Sequence, residues 1–225
     1  MGYFYKIYMS DIFVLDDDVQ FSNEEYHNYN FIRIGDNKFK MIIPVSYEFG
    51  DKINEVKICY KKPWLRKLLE TLKMNYGKCE HFEEVYNLLE EALNSNFEYI
   101  SDLNIYLIKE IVKRMGIETK IVIASKDVPT ELKNNERNIY QCSKLGCNVY
   151  LSGIGGKDYN DIEGYEKQGI KVVYSDYKPL HYRQRRKKVF MENLSSLDYF
   201  MNEGFNIPVE WSEKYGRRKV RNLCP

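Results

Sequence analysis

Between residues 101 and 175 stretches of helical and strand period alternate, and that alternation limits the possible folds more than any other feature of the chain. Ser101 is placed to cap a helix over residues 103–115 that Gly116 ends. Residues 117–124 read as a strand, 132–145 as a helix stopped by Gly146, 148–152 as a strand, 162–168 as a helix and 171–175 as a strand. Strands and helices joined by such short connections predict parallel βαβ units. Right-handed crossovers then bring the strand ends near Ser125, Ser152 and Ser175 to one edge of the sheet. The expected class is α/β, a mostly parallel sheet with flanking helices and a β-hairpin insertion.

The remaining segments fill in around that frame. Residues 1–10 carry aromatics at helical spacing, and 12–15 form a short apolar strand. Residues 31–34 and 39–45 flank Gly35-Asp36-Asn37 as a hairpin, and 53–58 add another strand. Pro63 opens a helix whose apolar face is Trp64, Leu65, Leu68, Leu69 and Leu72, and a second face follows at Phe82, Val85, Tyr86, Leu89 and Leu93. A last helix over residues 194–203 begins with a capping-box-like Ser195-x-x-Asp198 and closes at Gly204. The economical organisation is one domain over residues 1–204, with a hairpin insertion over 29–59 and a helical segment over 63–116, followed by a C-terminal arm over 205–225.

Two stretches carry chemistry. After the strand at 148–152 the sequence runs Gly153-Ile154-Gly155-Gly156-Lys157. Glycines behind a buried strand let backbone N–H groups approach an anion, and a lysine at the loop's end adds charge to the same spot. The spacing is not that of a Walker loop, because Gly153 lies four residues before Lys157 and Asp158 follows it. A tight strand-to-helix turn with a solvated lysine accounts for the same residues. The second stretch is Asp16-Asp17-Asp18 behind the strand at 12–15. Carboxylates at the carboxyl end of a parallel strand can hold Mg²⁺, or orient a hydroxyl or amine. An acidic surface turn looks the same in sequence. If both strands belong to one sheet, Asp17 and Asp18 face the crevice of the glycine loop.

Composition narrows the classes. A net charge of +1 gives no overall pull toward nucleic acid or anionic lipid. The end is nevertheless basic, at residues 183–188 (RQRRKK) and 217–221 (RRKVR), where aromatics nearby could grip phosphates or the run could simply be solvated. The five cysteines form no C-x-x-C, and the close pair Cys142 and Cys147 has no histidine nearby, which argues against a zinc site and against a cysteine nucleophile there. The 20 tyrosines fit an aromatic cleft or half-buried packing equally well. No apolar run reaches the ~18 residues of a membrane span and no leader opens the chain, so a cytoplasmic protein is expected.

Four blocks carry a resemblance: GYFYKIYMSDIFVLDDDVQF (2–21), MIIPV (41–45), YLSGIGGKDYND (150–161) and NLSSLDYFMNEG (193–204). In that order, and over nearly the whole chain to Gly204, they resemble the WbqC-like protein family. Its members are commonly found with genes for O-antigen and other surface polysaccharides, and the activity the resemblance implies is transfer of an amino acid, glycine in particular, onto an amino sugar. The family's Asp-Asp-Val-Gln-Phe falls on Asp17, Asp18, Val19, Gln20 and Phe21. Asp16 stands where the family usually has an apolar residue and is the least expected of the three to act. The family's Asn-Arg-Asn resembles Asn28-Tyr29-Asn30 without the arginine, and its serine-glycine-lysine loop matches Ser152, Gly153, Gly156, Lys157, Asp158 and Tyr159. Arg137, His181, Gln184, Ser195 and Asp198 fall at other recurrent positions. Members usually carry a strand and His-Gln-Pro-x-x-x-Pro ahead of the Gly-Tyr-Phe segment, where Met1 stands here. Either the true start lies upstream or this protein lacks that histidine. The strand-loop-helix order is also similar to nucleotidylyltransferase and related nucleotide-binding α-hydrolase folds, at fold level only.

The expected function is a transferase acting on a nucleotide-linked amino sugar. The glycine loop and Lys157 would hold a phosphate or carboxylate, Asp17 or Asp18 would orient or deprotonate the amine, and His181 and Gln184 would close the site. Gln20, Asn28, Asn30, Arg137, Ser152, Asp158 and Tyr159 complete the expected binding set. An adenylate-forming or nucleotidylyltransferase-like enzyme, with Mg²⁺ and a nucleotide on the acidic pair, is the alternative. A non-enzymic nucleic-acid or assembly protein using the basic end is a third.

Overall fold

Strands and helices follow one another in the expected order. The computed structural model describes residues 1–61, 63–185 and 189–214. Its elements are α1 (Gly2–Met9), β1 (Ile12–Leu15), β2 (Tyr29–Ile34), β3 (Asn37–Ile42), β4 (Val45–Ser46), β5 (Lys57–Ile58), α2 (Trp64–Tyr76), α3 (Phe82–Asn94) and α4 (Ile100–Arg114). There follow β6 (Lys120–Ile123), α5 (Ala124–Asp127), α6 (Asn134–Lys144), β7 (Val149–Ser152), α7 (Ile162–Lys167), β8 (Lys171–Tyr174), α8 (Ser196–Glu203) and α9 (Val209–Lys214). The fold is mixed helix and strand. Among the described residues the strands pair as two parallel ladders, β1 with β6 and β7 with β8, and two antiparallel ones, β2 with β3 and β4 with β5. These ladders do not join into one larger parallel sheet.

Internal contacts divide the chain into two compact units. One comprises residue 1, residues 17–116 and residues 179–206; the other comprises, among the described residues, 2–16, 117–178 and 207–214.

In the first unit α3 packs against α2, α4 and α8. Its stripe Phe82, Val85, Leu88, Leu89, Ala92 and Leu93 is fully buried, against Leu68, Leu69 and Leu72 of α2 and Phe200 and Met201 of α8. Each of these side chains larger than alanine contributes about 1.5–3 kcal/mol of burial. The hairpin β2–β3 runs from Tyr29 opposite Ile42 to Ile34 opposite Asn37, leaving Gly35 and Asp36 as a two-residue turn. Gly35 takes φ 60°, which glycine adopts without strain. Two expectations are corrected here. Residues 53–58 are not one strand, because Ile53–Glu55 form a 3₁₀ turn and only Lys57 and Ile58 pair as β5. Ser101 is no cap: it lies inside α4, buried, and the helix begins behind Tyr99 without a side-chain cap.

In the second unit the parallel ladders run in register from Ile12 opposite Lys120 to Leu15 opposite Ile123, and from Val149 opposite Lys171 to Ser152 opposite Tyr174. Thr119 Oγ1 reaches the carbonyls of Ile7 (2.7 Å) and Ser10 (2.8 Å), so the end of α1 is tied to the entry of β6. Within the expected arm, Trp211 of α9 is buried and meets Tyr5 edge-on with centroids 5.4 Å apart. The basic run at 217–221 and residues 186–188 lie outside the described residues. No helix among the described residues is long and apolar enough to cross a membrane.

Candidate functional site

The glycine loop in the second unit is a built feature. Strand β7 ends at Ser152, and the chain continues directly into a 3₁₀ turn over Ile154–Asp158. Such a turn leaves its first N–H groups without acceptors inside it. An added Cβ at Gly153 or Gly155 meets nothing within 4 Å, so the backbone at the mouth of the turn is open to close approach. Gly156 is the opposite. It is buried, and a Cβ there would collide with Ser152 Oγ and stand 2.7 Å from Asn160 Nδ2. Ser152 is itself buried; its Oγ accepts from Asn160 Nδ2 at 2.9 Å and donates to the Gly153 carbonyl at 3.2 Å. Asn160 Oδ1 is buried with no hydrogen-bond partner among the described residues. Leaving such a group unpaired costs about 1–3 kcal/mol. The exposed Lys157 holds its ammonium 5.4 Å from the centre of the Tyr174 ring. Asp158 and Tyr159 are exposed, and the Tyr159 carbonyl accepts from Asn135 Nδ2 at 2.8 Å.

Helix α6 links this loop to the end of β1. Asn135 reaches the loop, Asn138 donates to Tyr150 Oη at 3.0 Å on β7, and Arg137 and Gln141 turn to Asp16. Positions 137 and 141 share one stripe of the helix because they lie one turn apart. Arg137 donates from Nε (3.0 Å) and Nη2 (2.9 Å), and Gln141 from Nε2 (2.8 Å), all to Asp16 Oδ1. Both α6 side chains are buried. Burial first, and the Asp16 charge among several smaller effects, raises the Tyr150 phenol above its ordinary range. The guanidinium of Arg137 also donates from Nη1 to the Thr130 carbonyl at 3.3 Å.

The other expected residues belong to the first unit. Asp17 is buried; its carbonyl accepts from Asn54 N at 2.9 Å, and its Oδ2 stands 3.5 Å from Asn54 Nδ2. Asp18 is half-buried, and Gln20 is exposed in an isolated bridge to Lys52. Asn28 Nδ2 donates to the Ile43 carbonyl at 3.0 Å, and Asn30 Oδ1 accepts from Phe31 N at 2.9 Å, so both brace the hairpin. His181 is exposed, with its ring 4.7 Å from that of Phe190. Gln184 is buried, and its amide N–H groups go to the Met191 carbonyl (2.9 Å) and Asp198 Oδ2 (3.0 Å). Ser195 caps α8, accepting from Leu197 N. Asp198 does not complete a capping box, because Tyr76 and Tyr182 also donate to its carboxylate.

Among the described residues no three His, Cys, Asp or Glu side chains gather as a metal site. Mg²⁺ arriving with a nucleotide needs only one or two carboxylates, and any of Asp16, Asp17 and Asp18 has the chemistry for that. Among the described residues Cys59, Cys79, Cys142 and Cys147 are free thiols, each half-buried. Burial, and then the charge of Cys147, pushes the Cys142 thiol up to about 12. We expect iodoacetamide at pH 7.5 to alkylate Cys142 about tenfold or more slowly in the folded protein than in urea, as mass spectrometry would read. Equal rates would show that the fold does not suppress this thiolate.

Sequence reasoning passed over Asp16 and Gln141. The signal was present in the arginine and glutamine one helical turn apart on an otherwise polar helix. The model of the WbqC-like protein family matches residues 1–208 of the chain. A curated relative, the uncharacterized protein Rv1507c of Mycobacterium tuberculosis (strain ATCC 25618 / H37Rv), is 27% identical over 210 residues, covering 92% of this chain and 90% of its own. No solved structure matches.

Proposed function

The chain belongs to the WbqC-like protein family, and from that membership we propose that it is a transferase acting on a nucleotide-linked amino sugar in surface polysaccharide synthesis, with glycine as the group transferred. The observation that carries this reading is the loop behind β7: open at Gly153 and Gly155, braced at Gly156, and followed by an exposed lysine. Exposed N–H groups and an ammonium suit a phosphate or carboxylate, and an acyl transfer between a free amine and an activated carboxyl needs one of the partners held by such a group. Asp17 and Asp18 remain the acid–base candidates. Gln184 enters as a residue that positions Asp198 rather than as a substrate ligand, since its amide is spent inside the fold.

Calorimetric titration with UDP-glucosamine tests the loop. Lys157→Ala is expected to weaken binding about tenfold, the value of one charge-assisted hydrogen bond of about 1.5 kcal/mol. Equal affinity for the two proteins removes Lys157 from the site, and no binding to either removes the nucleotide-sugar reading.

A further inference from the structure

We infer that Asp16 is a ligand-facing carboxylate, aimed by Arg137 and Gln141, whose Oδ2 accepts a hydrogen bond from a hydroxyl or ammonium group of a bound metabolite. This extends the preceding reading to a residue outside it, and does not require Lys157 to bind an anion.

The argument starts from how the carboxylate is held. An arginine beside an aspartate usually forms two parallel hydrogen bonds, one to each oxygen. Here Arg137 Nε and Nη2 both go to Oδ1, at 3.0 and 2.9 Å, and Gln141 Nε2 joins them on the same atom at 2.8 Å. Oδ2 receives no donor from any described residue, and the Asp16 side chain is 38% exposed while that of Arg137 is 8% exposed. Arg137 Nη1 has a further acceptor in the Thr130 carbonyl, at 3.3 Å. Two buried side chains fix one oxygen and leave the other facing outward. A carboxylate so fixed is pre-oriented for a donor, and loses little further freedom on binding.

Its place in the fold matches. Asp16 directly follows β1, at the carboxyl end of a parallel pair, where α/β folds bind ligands. Helix α6 holds it at positions 137 and 141, and touches the glycine loop and β7 at 135 and 138. Six residues of helix span roughly 9 Å, so both features lie within reach of one metabolite. The loop supplies donors and Asp16 an acceptor, a combination suited to a molecule carrying an anionic group at one end and hydroxyl or amino groups at the other.

The test follows the carboxyl carbon of Asp16 by NMR in protein labelled with ¹³C-aspartate, assigned by its loss in Asp16→Asn. Glucosamine and glucose are titrated separately into the protein. Saturable movement of the Asp16 signal with glucosamine alone identifies an ammonium as the donor, and movement with both identifies a hydroxyl; the buried Asp198 signal should stay in place in either case. Gln141→Ala should displace the Asp16 signal in the free protein and weaken the responding sugar about tenfold, an effect a purely structural glutamine would not produce while the amide spectrum elsewhere is retained. An Asp16 signal that ignores both sugars overturns the inference, as does unchanged affinity in Asp16→Asn. Loss of UDP-glucosamine binding in Lys157→Ala bears on the loop alone, so the two readings fail separately.

Discussion

Replacing Asp198 by alanine should cost about 3–5 kcal/mol of folding stability, the usual penalty for stripping one partner from a buried charged network. Asp198 is 1% exposed and takes three donors: Tyr76 Oη at 2.7 Å, Tyr182 Oη at 2.6 Å and Gln184 Nε2 at 3.0 Å. The network continues outward. Tyr76 Oη accepts from Arg33 N at 2.9 Å, and Gln184 Oε1 accepts from Arg33 Nη1 at 2.7 Å. Alanine would orphan all three donors and free the Gln184 amide that accepts from Arg33. Urea unfolding of wild type, Asp198→Asn and Asp198→Ala should give a graded loss; should alanine fail to fold, Tyr182→Phe, at about 1 kcal/mol, keeps the series measurable. A loss below about 1 kcal/mol for alanine would mean the carboxylate does not organise this core. The same network sets an alkaline limit. Burial, with the Asp198 charge behind it, raises the Tyr76 and Tyr182 phenols above their ordinary range. Their contribution is therefore complete below the unfolded tyrosine value near pH ~10 and falls as pH climbs from there toward the folded values. Absorbance at 295 nm should show these phenols ionising only as the protein unfolds.

Why that network escaped sequence reading is physical. Asp198 sits three residues after a serine at a helix start, a spacing that local rules assign to a cap. Its partner Tyr76 is 122 residues away, and nothing local marks such a pairing. Asp16 is similar, since Arg137 lies 121 residues from it. What the chain did declare were features decided by neighbours in sequence. Strand β1 stops where an apolar run meets three carboxylates, α4 ends at Gly116 with φ 64°, and the hairpin turns at Gly35. Where local signals compete, tertiary contacts decide. Ser101 could cap, but Ile100 in front of it is fully buried, and burying that isoleucine inside the first turn outweighs one capping hydrogen bond. The β2–β3 hairpin pairs neighbours in sequence, whereas β1 pairs with β6 from Ile12 opposite Lys120, a contact no window of residues contains.

Gly156→Ala is the second large effect, and it separates a built loop from a chance turn. The new methyl would overlap Ser152 Oγ and crowd Asn160 Nδ2, both held by the hydrogen bond between them, so neither can withdraw without breaking it. Overpacking of this kind costs about 1–3 kcal/mol. Gly153→Ala and Gly155→Ala should behave oppositely. Their Cβ positions are open and Gly153 has φ −64°, so alanine there should be neutral, or stabilising by about 0.4–1 kcal/mol through the unfolded chain. Any loss of UDP-glucosamine affinity in Gly155→Ala then reports a methyl standing where the ligand comes close. Adding Ser152→Ala to Gly156→Ala removes the nearer obstacle and should recover part of the lost stability, with a coupling energy of at least about 0.5 kcal/mol in a double-mutant cycle. Additive losses would place the strain elsewhere in the loop. If Gly156→Ala proves as stable as wild type, and Gly155→Ala binds as tightly, the glycines serve only as a turn and the anion cradle loses its structural support.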